Sequence, residues 1–182
     1  MIKVRLAYDI ESDSIVDGPG LRTVLWFQGC PHRCFGCHNP ETHDFTSGKL
    51  FSITEVLNTL GDLKFQDGIT FTGGEPLQQP KAVLAIAEKY HDKNLWLYTG
   101  YDFQEILFMS EENDEIKQLL KYLDVIVDGK FDLRKKSLNE SFKGSSNQRV
   151  IDVPASLQKN RAVEKSQENI MIDDNAHRTV YL

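Results

Sequence analysis

The sequence predicts an α/β fold with a mostly parallel sheet, and three observations carry that prediction. Short apolar runs alternate with amphipathic stretches of about ten residues or more, the pattern that builds parallel sheets from strand–helix–strand units. The helical stretches carry their own start and stop signals. Each unusual polar motif directly follows an apolar run, where the carboxyl ends of parallel strands gather reactive groups. Such a sheet is either open or curled into part of a barrel.

Ile2, Val4 and Leu6 alternate with charged residues and predict an initial strand, and Asp17-Gly18-Pro19-Gly20 is a strong turn signal. Thr23 to Gln28 reads as a buried strand. Ser52-Ile53-Thr54-Glu55 has the form of a capping box, and Ile53, Val56, Leu57 and Leu60 recur at helical spacing before Gly61. Gly68 to Thr72 is a second strand, and Pro80 opens a helix lined by Val83, Ile86, Ala87 and Tyr90. A third strand covers Asn94 to Thr99. Phe103, Ile106 and Leu107, then Ile116, Leu119 and Leu120, give one helix broken near Glu111-Glu112-Asn113-Asp114, or two short ones. Leu123 to Val127 is a fourth strand, and Gln148 to Val153 a further one stopped by Pro154. From Ala155 the composition turns polar, with only Ile170-Met171-Ile172 and Thr179-Val180-Tyr181-Leu182 strand-like.

A chain of 182 residues with 40% apolar content is long enough for one core. Its 21 Lys and Arg against 27 Asp and Glu give a formal charge of -6, which disfavours broad nucleic-acid binding through phosphate neutralisation. The alternating N-terminus lacks the apolar core of a signal peptide, and no stretch is long enough to cross a membrane, so a cytoplasmic protein is expected.

Three cysteines, an odd number within eight residues, argue against a disulfide framework and for metal or cluster ligands. Cys30, Cys34 and Cys37 have the spacing C-x3-C-x2-C, which forces the sulfurs into one neighbourhood. Iron–sulfur clusters normally take four thiolates, and this chain holds no fourth, so one iron would stay open to a small chelating molecule. A zinc site of the three cysteines plus His32, His38 or His43 is the competing reading of the loop. Thr72-Gly73-Gly74-Glu75-Pro76 stands where a buried strand gives way to a helix, and its two glycines would let a ligand approach the backbone. By itself this segment is a turn.

The cysteine spacing together with the Gly73-Gly74-Glu75 segment resembles the radical S-adenosylmethionine superfamily. The longer match of Asp17 to Thr23, Phe27 to Pro40, Val127 to Phe131, Ser137-Leu138 and Phe142 to Val150 resembles the activating proteins of anaerobic (class III) ribonucleotide reductase, and spans most of residues 1–154. Two positions depart from the pattern. Gly36 stands where many radical enzymes have an aromatic residue before the third cysteine, and Lys130 where the family often has proline.

The resemblance implies a partial (β/α) barrel of radical S-adenosylmethionine type over residues 1–154, with residues 155–182 as a polar extension of unassigned role. It implies a 4Fe-4S cluster on Cys30, Cys34 and Cys37 and S-adenosyl-L-methionine chelated to the open iron. Backbone at Gly36, Cys37 and His38 is expected at adenine, Thr72, Gly73, Gly74 and Glu75 at the amino group or holding its loop, and Asp128 and Lys130 at the ribose or carboxylate. The implied reaction takes a hydrogen atom from a glycine of the reductase catalytic subunit. A flavodoxin-like protein is the expected electron donor, and the basic residues Lys130, Arg134, Lys135, Lys136 and Lys143 face either partner or solvent. An activator of another glycyl-radical enzyme, of the pyruvate formate-lyase kind, and a non-catalytic zinc-binding module are the alternatives.

Overall fold

The structure is a computed structural model that describes residues 2–166 and 169–170. The chain opens with β1 (Lys3–Leu6), β2 (Glu11–Ser14) and β3 (Arg22–Phe27). β1 and β2 share one edge of β3, with Leu6 opposite Phe27 at its carboxyl end and Ser14 opposite Arg22 at its start. β4 (Lys49–Ser52) pairs antiparallel with β1. Ser52 then caps α1 (Ile53–Leu60) through the expected reciprocal box with Glu55. β5 (Gly68–Gly73), α2 (Pro80–Lys89) and β6 (Asn94–Tyr98) follow.

The acidic stretch after β6 separates two helices, α3 (Phe103–Glu112) and α4 (Asp114–Leu119), because Asn113 leaves helical geometry and accepts from the Ile116 amide as a new cap. β7 (Val125–Asp128), β8 (Arg149–Asp152) and α5 (Val153–Lys159) complete the order. Pro154 does stop a strand, but it does so by standing in the first turn of α5, where its missing N–H costs nothing. Beyond α5 the chain returns to the sheet, where Glu164 bridges Ile151. Of the strand-like tail, Met171-Ile172 and Thr179 to Leu182 lie outside the described residues.

One eight-stranded sheet results, ordered β4-β1-β3-β5-β6-β7-β8, with β2 also on β3. Its centre, β3 to β7, is parallel, whereas β1, β2, β4 and β8 run antiparallel to their neighbours, so the sheet is mixed where a mostly parallel one is expected. The reason lies in the residues. The parallel strands are buried on both faces, while β1, β2 and β4 are short, charged and partly exposed, as antiparallel edges tolerate. β2 reads Glu-Ser-Asp-Ser and has no strand propensity; the exposed edge of β3 imposes its conformation.

Alternation along the strands divides the core. Leu25, Phe27, Ile69, Phe71, Leu95, Leu97, Ile126 and Ile151 pack with the helices in the larger cluster. Trp96, Val125, Val127 and Val150 turn to the other face, with Tyr98 and Phe142 against them. Ile170 also packs on that second face, and the site opens on it. At its foot lies Arg22, fully buried, donating to Thr70 Oγ1, to the Pro19 and Ile69 carbonyls and to both oxygens of Asn94. Burial pushes its guanidinium down to about 10.

Candidate functional site

The cysteine loop leaves the carboxyl end of β3. Its start is held by Gly29 N–H to the Thr42 carbonyl at 2.8 Å and Cys30 N–H to the His43 carbonyl at 3.2 Å. Arg33 (φ 47°) and Gly36 (φ 74°) adopt left-handed backbone between the cysteines, and each reverses the chain within one residue. The result is that Cys30, Cys34 and Cys37 all line one cavity of about 120 Å³. All three thiols are free, with Cys30 buried and the other two half-buried.

Every parallel strand contributes to this cavity from its carboxyl end: Cys30 after β3, Gly73 and Gly74 from β5, Thr99 and Gly100 after β6, and Gly129 after β7. Burial pushes the Cys30 and Cys37 thiols up, with the Glu75 carboxylate adding to the effect at Cys30; the amides of His32 and Arg33 at Cys30, and of Asn39 at Cys37, pull back. A nearby metal cation is what would make thiolates favourable here.

Gly73 has φ 102°, and a Cβ on it would stand 2.6 Å from the Phe27 amide nitrogen. A Cβ on Gly74 would meet the Gly29 carbonyl oxygen at 2.6 Å. Both glycines are therefore required first by the close approach of β5 to the root of the cysteine loop, and they line the cavity as bare backbone.

Glu75 is fully buried. Its carboxylate accepts from the Leu77 amide (3.1 Å), the Thr99 hydroxyl (2.9 Å) and the Gly100 amide (2.9 Å), and lies 2.9 Å from His32 Nε2. His32 in turn packs edge-on against Tyr101, with ring centres 4.5 Å apart. Of the two roles expected for Glu75, direct contact or holding its loop, this geometry performs the second.

A larger groove of about 440 Å³ adjoins the cavity and shares Cys37, Thr72, Tyr98, Phe131 and Gln148 with it. Val16, Asp17, Trp26, His38, Asn39, Phe142, Lys143 and Gly144 complete its walls. His38 lies against Phe131 at 4.7 Å between ring centres. Cys37, His38 and Thr72 stand on the groove, while Gly36 is not among its lining residues and faces Leu133.

Asp128 and Lys130 are not brought to the cavity or the groove. Asp128 is buried, takes two hydrogen bonds from the Arg149 guanidinium and accepts from the Phe103 amide at the start of α3. Its role as seen is structural. Lys130 is exposed and lines a separate hollow with Phe35 and Leu133. Among the basic residues nearby, Arg134 pairs with Asp132 and Lys143 with Glu140.

Sequence reasoning passed over Phe131 and Gln148 as individual site residues. Gln148 accepts from the Gly144 and Ser145 amides and donates to the Gly129 carbonyl, so it knits the loop before β8 to the end of β7. The signal was present in the Phe142 to Val150 stretch that carries part of the resemblance, but nothing in its composition marks one residue as lining a groove.

Three free thiols border the cavity, the kind of donor a compact iron–sulfur cluster takes. Of the histidines weighed as a fourth zinc ligand, His32 is engaged by Glu75 and His38 lies on Phe131. His43 Nε2 is buried with no hydrogen-bond partner.

Comparison with known proteins agrees with this geometry. Residues 16–151 match the family model of a 4Fe-4S single cluster domain. The chain is 35% identical over 143 residues to the anaerobic ribonucleoside-triphosphate reductase-activating protein of Enterobacteria phage T4, covering 74% of this chain and 86% of that protein. It is 36% identical over 148 residues to the protein of that name from Escherichia coli K12, covering 75% and 91%, and 34% identical over 144 residues to that of Vibrio cholerae, covering 74% and 89%. A four-strand parallel centre, three thiols on one cavity and this breadth of identity lead to one conclusion: the chain belongs to the family of anaerobic ribonucleoside-triphosphate reductase-activating proteins.

Proposed function

We propose that the chain is a radical S-adenosylmethionine enzyme that places a glycyl radical on anaerobic ribonucleotide reductase. The observation that carries this reading is the pair of joined hollows, a small one bordered by three thiols and a larger one that shares Cys37 and Thr72 with it. Cys30, Cys34 and Cys37 would hold a 4Fe-4S cluster and leave one iron without a protein ligand. The larger groove has room and lining for a nucleoside, with the Tyr98 and Phe131 rings and the Gln148 amide on its walls.

When bound, the cluster, once reduced by an external donor, would supply the one-electron reduction of the sulfonium by which the cosubstrate takes a hydrogen atom from the reductase glycine. The chain's own residues position and shield. Glu75 fixes the cysteine loop, the β5 turn and the end of β6 relative to one another through His32, Leu77, Thr99 and Gly100. The bare backbone of Gly73 and Gly74 leaves the floor of the cavity free of side chains. The groove is open to solvent, so the reductase would exclude water and oxygen by covering it.

The face bearing Trp26, Thr72 and Tyr98 is read here as the inner surface of a partial barrel over residues 1–154, with residues 155–182 an extension of it. An acidic flavodoxin-like donor, a cytoplasmic location and the lack of a nucleic-acid partner complete the reading, supported by the exposed Lys130 and by the net charge of -6. No described helix is long and apolar enough to cross a membrane.

Metal analysis of anaerobically purified protein tests the assignment. Iron with acid-labile sulfide, near four of each per chain, is expected, and zinc without sulfide would replace the enzyme reading by the binding-module one. A glycyl signal raised on pyruvate formate-lyase but not on the reductase would reassign the substrate.

A further inference from the structure

Phe35 follows Cys34 in the cysteine loop, and 86% of it is exposed. A single exposed apolar residue is ordinary, but Phe35 does not stand alone. It borders a hollow of about 580 Å³ whose walls include Leu133, itself 42% exposed, together with Lys130 and Arg134. Leu133 packs against the cysteine loop, since a Cβ on Gly36 would come within 3.0 Å of its Cδ2. The hollow is therefore joined to the segment between the second and third cysteines. Phe35 is one residue from Cys34 and two from Cys37, which keeps its Cα within about 4 Å and about 8 Å of theirs.

Charge sets this surface apart from the rest of the chain. The net charge is -6, yet Lys130, Arg134, Lys135 and Lys136 fall in one short segment and are all exposed. Asp132 is the only carboxylate between Lys130 and Lys136, and it pairs with Arg134. Lys130, Lys135 and Lys136 form no ion pair among the described residues. An apolar centre beside cations is what a protein partner reads, and electron-transfer encounters need only a small contact of this kind.

We propose that this surface docks the protein that reduces the cluster, an acidic one-electron carrier seated on Phe35 and Leu133 with its carboxylates against Lys130, Lys135 and Lys136. The inference rests on the cluster assignment above. The step moves one electron and no atoms: the carrier is oxidised and the cluster reduced. An acidic carrier is repelled by an acidic chain as a whole and steered to its basic island, and the encounter then ends beside two of the three cluster ligands. The reductase is the competing occupant. The groove it would cover shares only Phe131 with the hollow, and that groove mixes Asp17 with Lys143 where the hollow is mainly basic.

The test compares the wild type with a Lys135→Glu, Lys136→Glu double variant and with Phe35→Ser. Flavodoxin serves as the acidic carrier, and dithionite as a reductant that needs no docking. Binding of oxidised flavodoxin is measured by calorimetry on cluster-free and loaded protein, and cluster reduction by stopped flow at several salt concentrations. Both variants should melt with the wild type, because the replaced side chains are exposed. In the double variant, flavodoxin affinity and the rate of reduction by flavodoxin should each fall at least fivefold, and the salt dependence of that rate should flatten. Phe35→Ser should lose at least fivefold in both while keeping the wild-type salt dependence. Reduction by dithionite, and the glycyl radical yield on the reductase with dithionite, should match the wild type in both variants. A loss of flavodoxin affinity smaller than fivefold in the double variant overturns the inference. So does a fall in glycyl radical yield under dithionite, which would give the surface to the reductase. Failure of the wild type to load a cluster defeats the cluster assignment itself, a different result.

Discussion

The His32 imidazole lies 2.9 Å from the Glu75 carboxylate, so the loop that carries the cysteines is tied directly to the Gly73-Gly74 segment. Removing the carboxylate by Glu75→Ala takes the acceptor from the Leu77 and Gly100 amides and from the proton of the Thr99 hydroxyl. The expected loss is about 3 kcal/mol, or roughly 10 °C in melting temperature. Glu75→Gln, which keeps one acceptor oxygen, should lie between. A melting temperature for Glu75→Ala equal to wild type would show that the carboxylate holds nothing together.

Asp128 offers a second separation of structural from ligand-binding roles. With Arg149 on one side and the Phe103 amide on the other, Asp128→Ala should destabilise the fold by about 3 kcal/mol in denaturant titration. Affinity of the folded variant for S-adenosylmethionine, followed by calorimetry, should change less than threefold. A tenfold or greater loss at unchanged stability would return Asp128 to the ligand.

Arg22 distributes its five guanidinium donors as a rigid fork among neutral acceptors, which an ammonium cannot copy. Arg22→Lys should therefore cost about 2 kcal/mol, read from the urea midpoint, while iron and sulfide loading of the folded protein stays at wild-type level. A midpoint equal to that of the wild type would mean that charge alone matters there.

The raised Cys30 and Cys37 thiols give the cluster-free protein a pH dependence of known sign. Their burial favours the neutral form in the fold, so the unfolded chain loses these protons first as pH rises past its ordinary thiol value of 9.0. The stability they support is complete below that value and declines above it until the folded thiols also ionise. Denaturation between pH 8 and pH 10 should show wild type losing more stability than a Cys30→Ala, Cys37→Ala double variant. Parallel curves would remove the burial argument; comparing the two proteins cancels the tyrosines that titrate in the same direction.

Helix boundaries and the central strands were legible because their signals are local. Ser52 and Glu55 form the capping box, Pro80 starts α2, and the apolar runs at 23–28, 68–72, 94–99 and 123–127 fall on β3, β5, β6 and β7. What was not legible depends on contacts far apart in the chain. β2 exists because β3 offers it a free edge, and β4 because β1 does. The cysteine spacing predicted one neighbourhood for three sulfurs, and the cavity supplies it. No spacing could show that Asp128 turns away to Arg149 or that His43, rather than His32, is left without a partner. Side-chain direction decides both, and it is set only once β7 has met β8 and the Pro40–His43 turn has closed on Gly29.

The central claim is that three thiolates and one open iron let this chain write a radical onto its partner. It is tested most directly by electron paramagnetic resonance of anaerobic ribonucleotide reductase after oxygen-free incubation with the reduced, iron-loaded protein and S-adenosylmethionine. The account predicts a glycyl radical signal that disappears when Cys30, Cys34 or Cys37 is replaced by serine. A fully loaded four-iron protein that cleaves no S-adenosylmethionine and leaves the reductase silent would contradict it.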